Sequence, residues 1–141
     1  WRRKLDNEYI TPFEIDGHKW YTVEHYYQAG KFKNTNKEFY LLFSLDSNSI
    51  MSTDVEMAKA ASSKTGKYKK EQLRTKDIKI DDEFYNGMND KILEDAIYAK
   101  FSQNEDMKEV LVNTKKAKLL LYKHGSEPEL SNILMIVRNR M

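Results

Sequence analysis

Between Trp20 and Phe32 the chain carries a carboxylate, an imidazole, an amide, an ammonium and five aromatic rings within thirteen consecutive residues. This segment constrains the fold because it fits neither ordinary kind of helix. A surface helix buries one apolar stripe and leaves the rest polar, and a core helix carries few titratable groups. Thr22 can accept from an early helical N–H, so the spacing predicts a helix from Val23 to about Lys33, ending before Asn34, Thr35 and Asn36. In such a helix Glu24 and Lys31 are seven residues apart, two turns along one face, with Gln28 between them. The mixture reads as a pocket wall: rings to hold a flat ligand and charges to act on it. The expectation is that Glu24 and Lys31 project together into one ring-lined cavity. The plainer explanation of Glu24 is a carboxylate matched to the helix dipole. For the pair it is a surface contact at helical spacing.

Composition narrows the class. A chain of 141 residues, 40% hydrophobic and 33% charged, is expected to form one globular domain over residues 1–141. A formal net charge of +2 is too small by itself to argue for nucleic-acid or membrane binding. The absence of cysteine excludes disulfides and thiolate chemistry. A zinc site would have to draw on three scattered histidines and carboxylates, so no metal is expected. Nor is a cofactor. No apolar run reaches transmembrane length and no secretory leader is visible, so a cytoplasmic location and no membrane partner are expected.

The remaining pattern is mainly helical with a minor β-element. Phe13 to Ile15, the Asp16-Gly17 turn signal and His18 to Trp20 read as a small hairpin with Phe13 and Ile15 facing the core. A second helix runs from Lys37 to Phe43, and a third, capped by Thr53-Asp54, runs through Ala61. Residues 64–79 hold seven Lys and Arg against Glu71 and Asp77, either a solvated surface or an electropositive rim that attracts phosphates. After Asp81, an interruption is expected at Asn86-Gly87. Ile92, Leu93, Ala96, Ile97 and Phe101 then mark the clearest amphipathic helix. Met107, Val110 and Leu111 continue at helical spacing. Ala117 to Tyr122 is a short buried segment, Gly125 to Pro128 a loop, and Glu129 to Met141 a final helix with Leu130, Ile133, Leu134 and Val137 inward. The fold class is α+β: an N-terminal β-hairpin packed on a helical bundle.

The Trp20–Phe32 run resembles the YbiA-like family, also called NADAR, whose signature includes W-x-T-V-E-H-Y-Y/F-Q-A-x-K-F. Leu5 and Asn7, Phe13 through Gly17, Trp20 and Thr22 through Phe32 carry the match. Ala99 through Gln103 is similar to a second K-F-x-Q segment, and Leu134 through Arg138 to a terminal L-M-x-V-R. Two stretches depart. Arg74 to Ile78 lacks the Trp of an Arg-x-Asp-Trp motif, and His124 to Glu129 replaces a Trp-Gly and Gly-x-Asn-x-Leu-Gly stretch. These departures bear on substrate identity more than on reaction type.

The resemblance implies a YbiA-like fold and cleavage of the C1–N bond of a ribose on an exocyclic or aryl amine. One substrate class is ADP-ribosylated guanine in nucleic acid, in some cases opposing a DarT-type toxin. Another is the phosphorylated ribosyl-amines of riboflavin synthesis. A third possibility is a module that binds ADP-ribose or NAD without turnover. A carboxylate near C1 stabilises developing positive charge or activates water, and Glu24 is the candidate. A lysine amine can attack an opened-ring C1 and form a Schiff base, and Lys31 is the candidate. The roles conflict, because a nearby carboxylate favours the charged lysine. Either Gln28 holds the pair apart, or Lys31 stays charged and binds phosphate or a ribose hydroxyl.

The substrate-binding candidates each have a structural alternative. Asn7 can meet ribose hydroxyls or an amide edge, or be a plain loop residue. Trp20 can stack on a base or be core. His25 can orient a ligand or Glu24, or bond to backbone. Of Tyr26 and Tyr27, one is expected to line the pocket and one to pack, with Tyr27 taken as the binder. Gln28 completes the face. Lys100 can pair with a phosphate or snorkel. Arg138 can make a bidentate phosphate contact or complement a helix C-terminus.

Overall fold

A computed structural model describes residues 2–113, 120–121, 129–130 and 132–140. The architecture is mainly α, with short hairpins at the periphery. After a 3-10 turn at Arg2–Leu5, strands β1 (Phe13–Ile15) and β2 (His18–Trp20) pair antiparallel, Phe13 opposite Trp20. Asp16 and Gly17 take left-handed φ values of 58° and 78°, the tight turn that an Asp-Gly pair accommodates. The turn is anchored: the Asp16 carboxylate accepts from Tyr40 Oη at 2.9 Å, Lys33 Nζ at 2.8 Å and Tyr26 Oη at 3.4 Å.

Helix α1 (Val23–Ala29) starts where the sequence places it, with Thr22 Oγ1 accepting from the His25 N–H. Its end corrects the expectation of a continuous helix to Lys33. The α-helix stops at Ala29, and Gly30–Phe32 form a 3-10 turn, which changes the phase of Lys31 relative to Glu24 because 3-10 residues advance 120° each. Helices α2 (Lys37–Leu42) and α3 (Val55–Ala61) are capped by Asn36 and Asp54. A hairpin not foreseen in the basic stretch follows: β3 (Lys67–Tyr68) with β4 (Glu71–Gln72). The kink expected at Asn86-Gly87 is present, as non-helical backbone at both residues just before α4 (Asn89–Ser102). Helix α5 (Glu105–Val112) follows.

Strands β5 (Leu120–Leu121) and β6 (Glu129–Leu130) pair antiparallel, and α6 spans Asn132–Arg140. The last helix therefore begins after Leu130 rather than at Glu129, because that residue and its neighbour are held in a strand pair. The expected loop from Gly125 to Pro128, and the rest of Ala117–Tyr122, lie outside the described residues.

α1 is central, packed against α3 and α4, with α5 and α6 on α4. This accounts for its composition: a helix with neighbours on several sides needs rings on several sides. Trp20 packs edge-on to Tyr26 and tilted on Tyr40, at ring-centre distances of 5.0 and 5.2 Å. Phe32, Phe39 and Phe43 form a triad at 4.8 to 5.9 Å. Each such ring, fully buried, contributes about 1.5–3 kcal/mol relative to exposure.

Candidate functional site

Glu24, Tyr27 and Gln28 share one face of α1, and Lys31 follows in the 3-10 turn. The acid and the amine are joined through two intermediates. Gln28 Nε2 donates to Glu24 Oε1 at 2.7 Å, and Ser62 Oγ donates to Gln28 Oε1 at 2.6 Å. Lys31 Nζ donates to the Ser62 carbonyl at 3.2 Å. Gln28, Lys31 and Ser62 are buried and Glu24 is half-buried. The Lys31 ammonium lies 5.8 Å from the ring centre of Phe84 and 5.9 Å from that of Tyr85.

The environment of Glu24 is strained electrostatically. Burial pushes its carboxyl up from the ordinary value. The Gln28 amide opposes this, Glu8 adds to it, and Lys59 and Lys31 oppose it more weakly. A carboxyl shifted upward by desolvation is one able to exchange a proton nearer neutrality. Tyr27 lies half-buried beside it, edge-on to Phe84 at 5.2 Å, and burial first, then neighbours including Tyr85 and Glu24, raise its phenol pKa.

Asn7 enters from the N-terminal segment. Its carbonyl accepts from the Glu24 N–H at 3.0 Å, supplying one of the acceptors that the first helical turn lacks internally. Its side-chain Oδ1 is buried without a hydrogen-bond partner. A buried acceptor left open is costly, so this atom is ready for a donor such as a hydroxyl.

Three candidates fall elsewhere. Trp20 is 0% exposed, with its indole N–H donating to the Ile15 carbonyl at 3.1 Å. It has no free face for a base, because the hairpin closes onto α1 and α2 there. His25 is also fully buried: Nε2 meets the Met51 carbonyl and Nδ1 the Thr22 hydroxyl, each at 2.8 Å. Burial pushes its pKa down, and both ring nitrogens are occupied, Nε2 tying α1 to the 3-10 turn at Ile50–Ser52 and Nδ1 bonding the N-cap Thr22, rather than orienting Glu24. Lys100 is 1% exposed and donates to the Asp6 carbonyl at 2.8 Å. Burial pushes its pKa down to about 8. It does not reach solvent to meet a phosphate, but it fixes the residue preceding Asn7. Arg138 is half-buried on α6.

A cleft of about 690 Å³ opens from Lys31 and Ser62, between the basic hairpin and the segment leading to Tyr85. Glu24 is not among its lining residues. The acid is linked to this cleft through Gln28 and Ser62. Arg74 builds the cleft. Its guanidinium donates to the carbonyls of Ala61, Ser63, Lys64 and Ile78 and stacks over Phe32 at 5.4 Å. Gly66 makes room, since with φ at +67° any Cβ there would lie 2.9 Å from Arg74 Cβ.

Sequence reasoning missed Ser62, Glu8, Lys59 and the structural use of Arg74. Ser62 looked like one residue of a helix-breaking stretch, and its link to Gln28 spans 34 positions, so no local signal marks it. Among the described residues, no group of three or more His, Cys, Asp or Glu is placed to hold a metal ion, and no helix is long and apolar enough to cross a membrane.

This arrangement lies in a fold shared with known proteins. The chain belongs to the NADAR domain family, which matches over residues 2–128. Its structure is similar to the NMR structure of the E. coli protein YbiA, with a TM-score of 0.66 and 20% sequence identity, covering 97% of this chain and 76% of that one. Among curated proteins nothing matches this chain.

Proposed function

We propose that this protein is an N-glycosidase that hydrolyses the C1–N bond of a ribosyl-amine, releasing ADP-ribose from guanine bases of nucleic acid. The reading rests on its family and on one observation. A carboxyl raised by burial, Glu24, is coupled through Gln28 and Ser62 to an ammonium, Lys31, that opens onto a cleft. In the hydrolysis, water gives its hydroxyl to C1 and its proton to the departing nitrogen. Glu24 stabilises the positive charge that develops at C1 or takes the proton of the attacking water. The open Oδ1 of Asn7 receives a ribose hydroxyl. Tyr27 and Gln28 complete the wall around Glu24, and Arg138 remains a candidate for phosphate. A toxin of the DarT type would be the enzyme that supplies such a substrate.

Lys31 can act in two modes. As a cation it keeps its bond to the Ser62 carbonyl and holds an anionic oxygen. As a nucleophile it gives up that bond, its neutral amine adds to C1 of the ring-opened sugar, the base amine leaves with a proton, and water hydrolyses the resulting Schiff base to release the sugar and free Lys31.

The test is release of free ADP-ribose from an ADP-ribosylated guanine oligonucleotide, followed by mass spectrometry without added metal. Phosphorylated ribosyl-amines are run alongside. Glu24→Gln and Lys31→Ala are each expected to lower the rate by about 10²–10⁴-fold. Full activity in both variants removes the site assignment. Borohydride trapping of a covalent adduct at Lys31 separates the two modes of that residue.

A further inference from the structure

Three consecutive residues beside Glu24 are tied to three different helices. The Asp6 carbonyl accepts from Lys100 of α4 at 2.8 Å, the Asn7 carbonyl accepts from the Glu24 N–H of α1 at 3.0 Å, and the Glu8 carboxylate pairs with Lys59 of α3 at 3.5 Å. The Asp6 carboxylate turns the segment on itself by accepting from the Glu8 N–H at 2.9 Å. Residues 6–8 thus form a strap across the start of α1. The Lys100 tie is buried, whereas in the outer tie both side chains, Glu8 and Lys59, are 40% exposed. An ion pair so exposed adds little to stability. What it does fix is where a second carboxylate stands beside Glu24. Helix α3 also supplies Ser62, which donates to the Gln28 amide at 2.6 Å, so one helix holds Glu24 from both directions.

Each neighbouring element brings a polar or charged group to this corner. The strap contributes Glu8, which disfavours the ionised form of Glu24. Helix α3 contributes Lys59, which favours it, and Glu56, which shares Lys59 at 3.8 Å. The 3-10 turn after α1 contributes Lys31, and α1 itself the Gln28 amide and the Tyr27 phenol. Helix α4 contributes Asp90, whose influence reaches Tyr27, and Lys100, which is turned to the Asp6 carbonyl. Burial, the largest influence on Glu24, is set by the packing of the helices. Glu8 and Lys59 differ from it in kind. They act on Glu24 in opposite senses, they are bonded to each other, and they sit where substitution leaves the core intact. Carboxylates gathered around one cation shift each other's proton balance.

We propose that Glu8 and Lys59 are positioning residues for Glu24: their ion pair holds the strap against α3 and fixes the opposed charges under which Glu24 gains and loses its proton. The inference deepens the glycosidase reading and rests on it for the use of that proton balance in turnover. The coupling itself stands on the free protein.

The experiment is a carbon-13 NMR titration of the full chain labelled at its glutamate carboxyls, with the Glu24 signal assigned by its loss in Glu24→Gln. Glu8→Gln is expected to move the Glu24 midpoint to lower pH, and Lys59→Met to move it to higher pH. At a fixed pH within the transition, the ratio of ionised to protonated Glu24 should change about two- to threefold in each direction, the size expected of one charge removed from a partly exposed site. The double variant Glu8→Gln/Lys59→Met should titrate close to the parent, as should Lys59→Arg, which keeps the cation. Both displacements should shrink at about 1 M salt. Lys59→Gln, folded by circular dichroism, replaces Lys59→Met if the latter unfolds. Midpoints that move the same way in both single variants, or in neither, overturn the proposal, because a tie that only holds the strap loosens it identically from either end. Release of ADP-ribose, measured alongside, should follow the ionised fraction: on the acid limb kcat/KM rises about two- to threefold in Glu8→Gln and falls by the same factor in Lys59→Met. The titration uses no substrate. Opposed midpoints without ADP-ribose release therefore keep the coupling and remove the glycosidase, and release with unmoved midpoints does the reverse.

Discussion

The two sides of Lys31 handle charge in opposite ways. On the α1 side, Glu24 is half-buried beside Glu8 and is held by a relay of neutral groups, Gln28 and Ser62. On the hairpin side, the buried charge is Arg74, hydrogen-bonded to four carbonyls, and the lysines around it are left in water. A buried guanidinium that donates to four backbone carbonyls stabilises the loops it joins. A carboxyl desolvated near another carboxylate, its pKa raised despite the Gln28 hydrogen bond, is retained at a cost. Strain of this kind concentrates where chemistry is done, whereas on the hairpin side the buried charge is scaffold.

Removing the clamp should have the largest effect. Arg74→Ala leaves the carbonyls of Ala61, Ser63, Lys64 and Ile78 without this donor and is expected to cost about 3 kcal/mol, from unsatisfied carbonyls at about 1–3 kcal/mol each partly relieved by water, read as a lowered urea midpoint. A loss below about 1 kcal/mol would mean that the cleft is not organised by Arg74.

Lys100 tests whether burial beneath Asn7 is as costly as its geometry implies. Its proton leaves at about 8 in the folded protein and at the ordinary 10.5 in the unfolded chain. Between those values the unfolded chain holds more protons, so stability rises with pH through that window and the penalty is fully present below it. A shift of this size corresponds to about 3 kcal/mol. Lys100→Met should abolish the rise, measured by urea unfolding at pH 7 and pH 9.5. The Asp6–Asn7 segment then loses its tie, and the Michaelis constant for substrate should increase.

The smallest effect sharpens the contrast most. Glu24 has its pKa raised above the ordinary 4.5 by burial. The folded state therefore binds the proton more tightly, and this group's contribution to stability falls as pH rises from 4.5 through the folded value. Glu24→Gln should be as stable as the parent or more so at pH 8, by up to about 1 kcal/mol, and the difference should fade toward pH 4.5. A variant that loses both activity and stability would place Glu24 on the scaffold side of the comparison.

Much of the frame was legible along the chain because its determinants are local. Thr22 and Asp54 announce helix starts by bonding an N–H three residues on. Asp16-Gly17 announces a turn through its backbone freedom, and Glu24 with Gln28 is a contact within one helical turn. The second hairpin was hidden because lysines dominate it and only two residue pairs form its ladder.

Burial and long-range partnership were decided only in three dimensions. Trp20 and Lys100 have side chains that suit a ligand equally well. The hairpin closed over one and the Asp6 carbonyl claimed the other. Ser62 became the bridge to Lys31, and Arg74 the clamp, because the end of α3 and the loop after it pack against α1. Sequence specifies which hydrogen bonds a segment can make with itself. Which side chains lose water depends on what the rest of the chain lays over them, and that desolvation raises the Glu24 pKa and lowers those of His25 and Lys100.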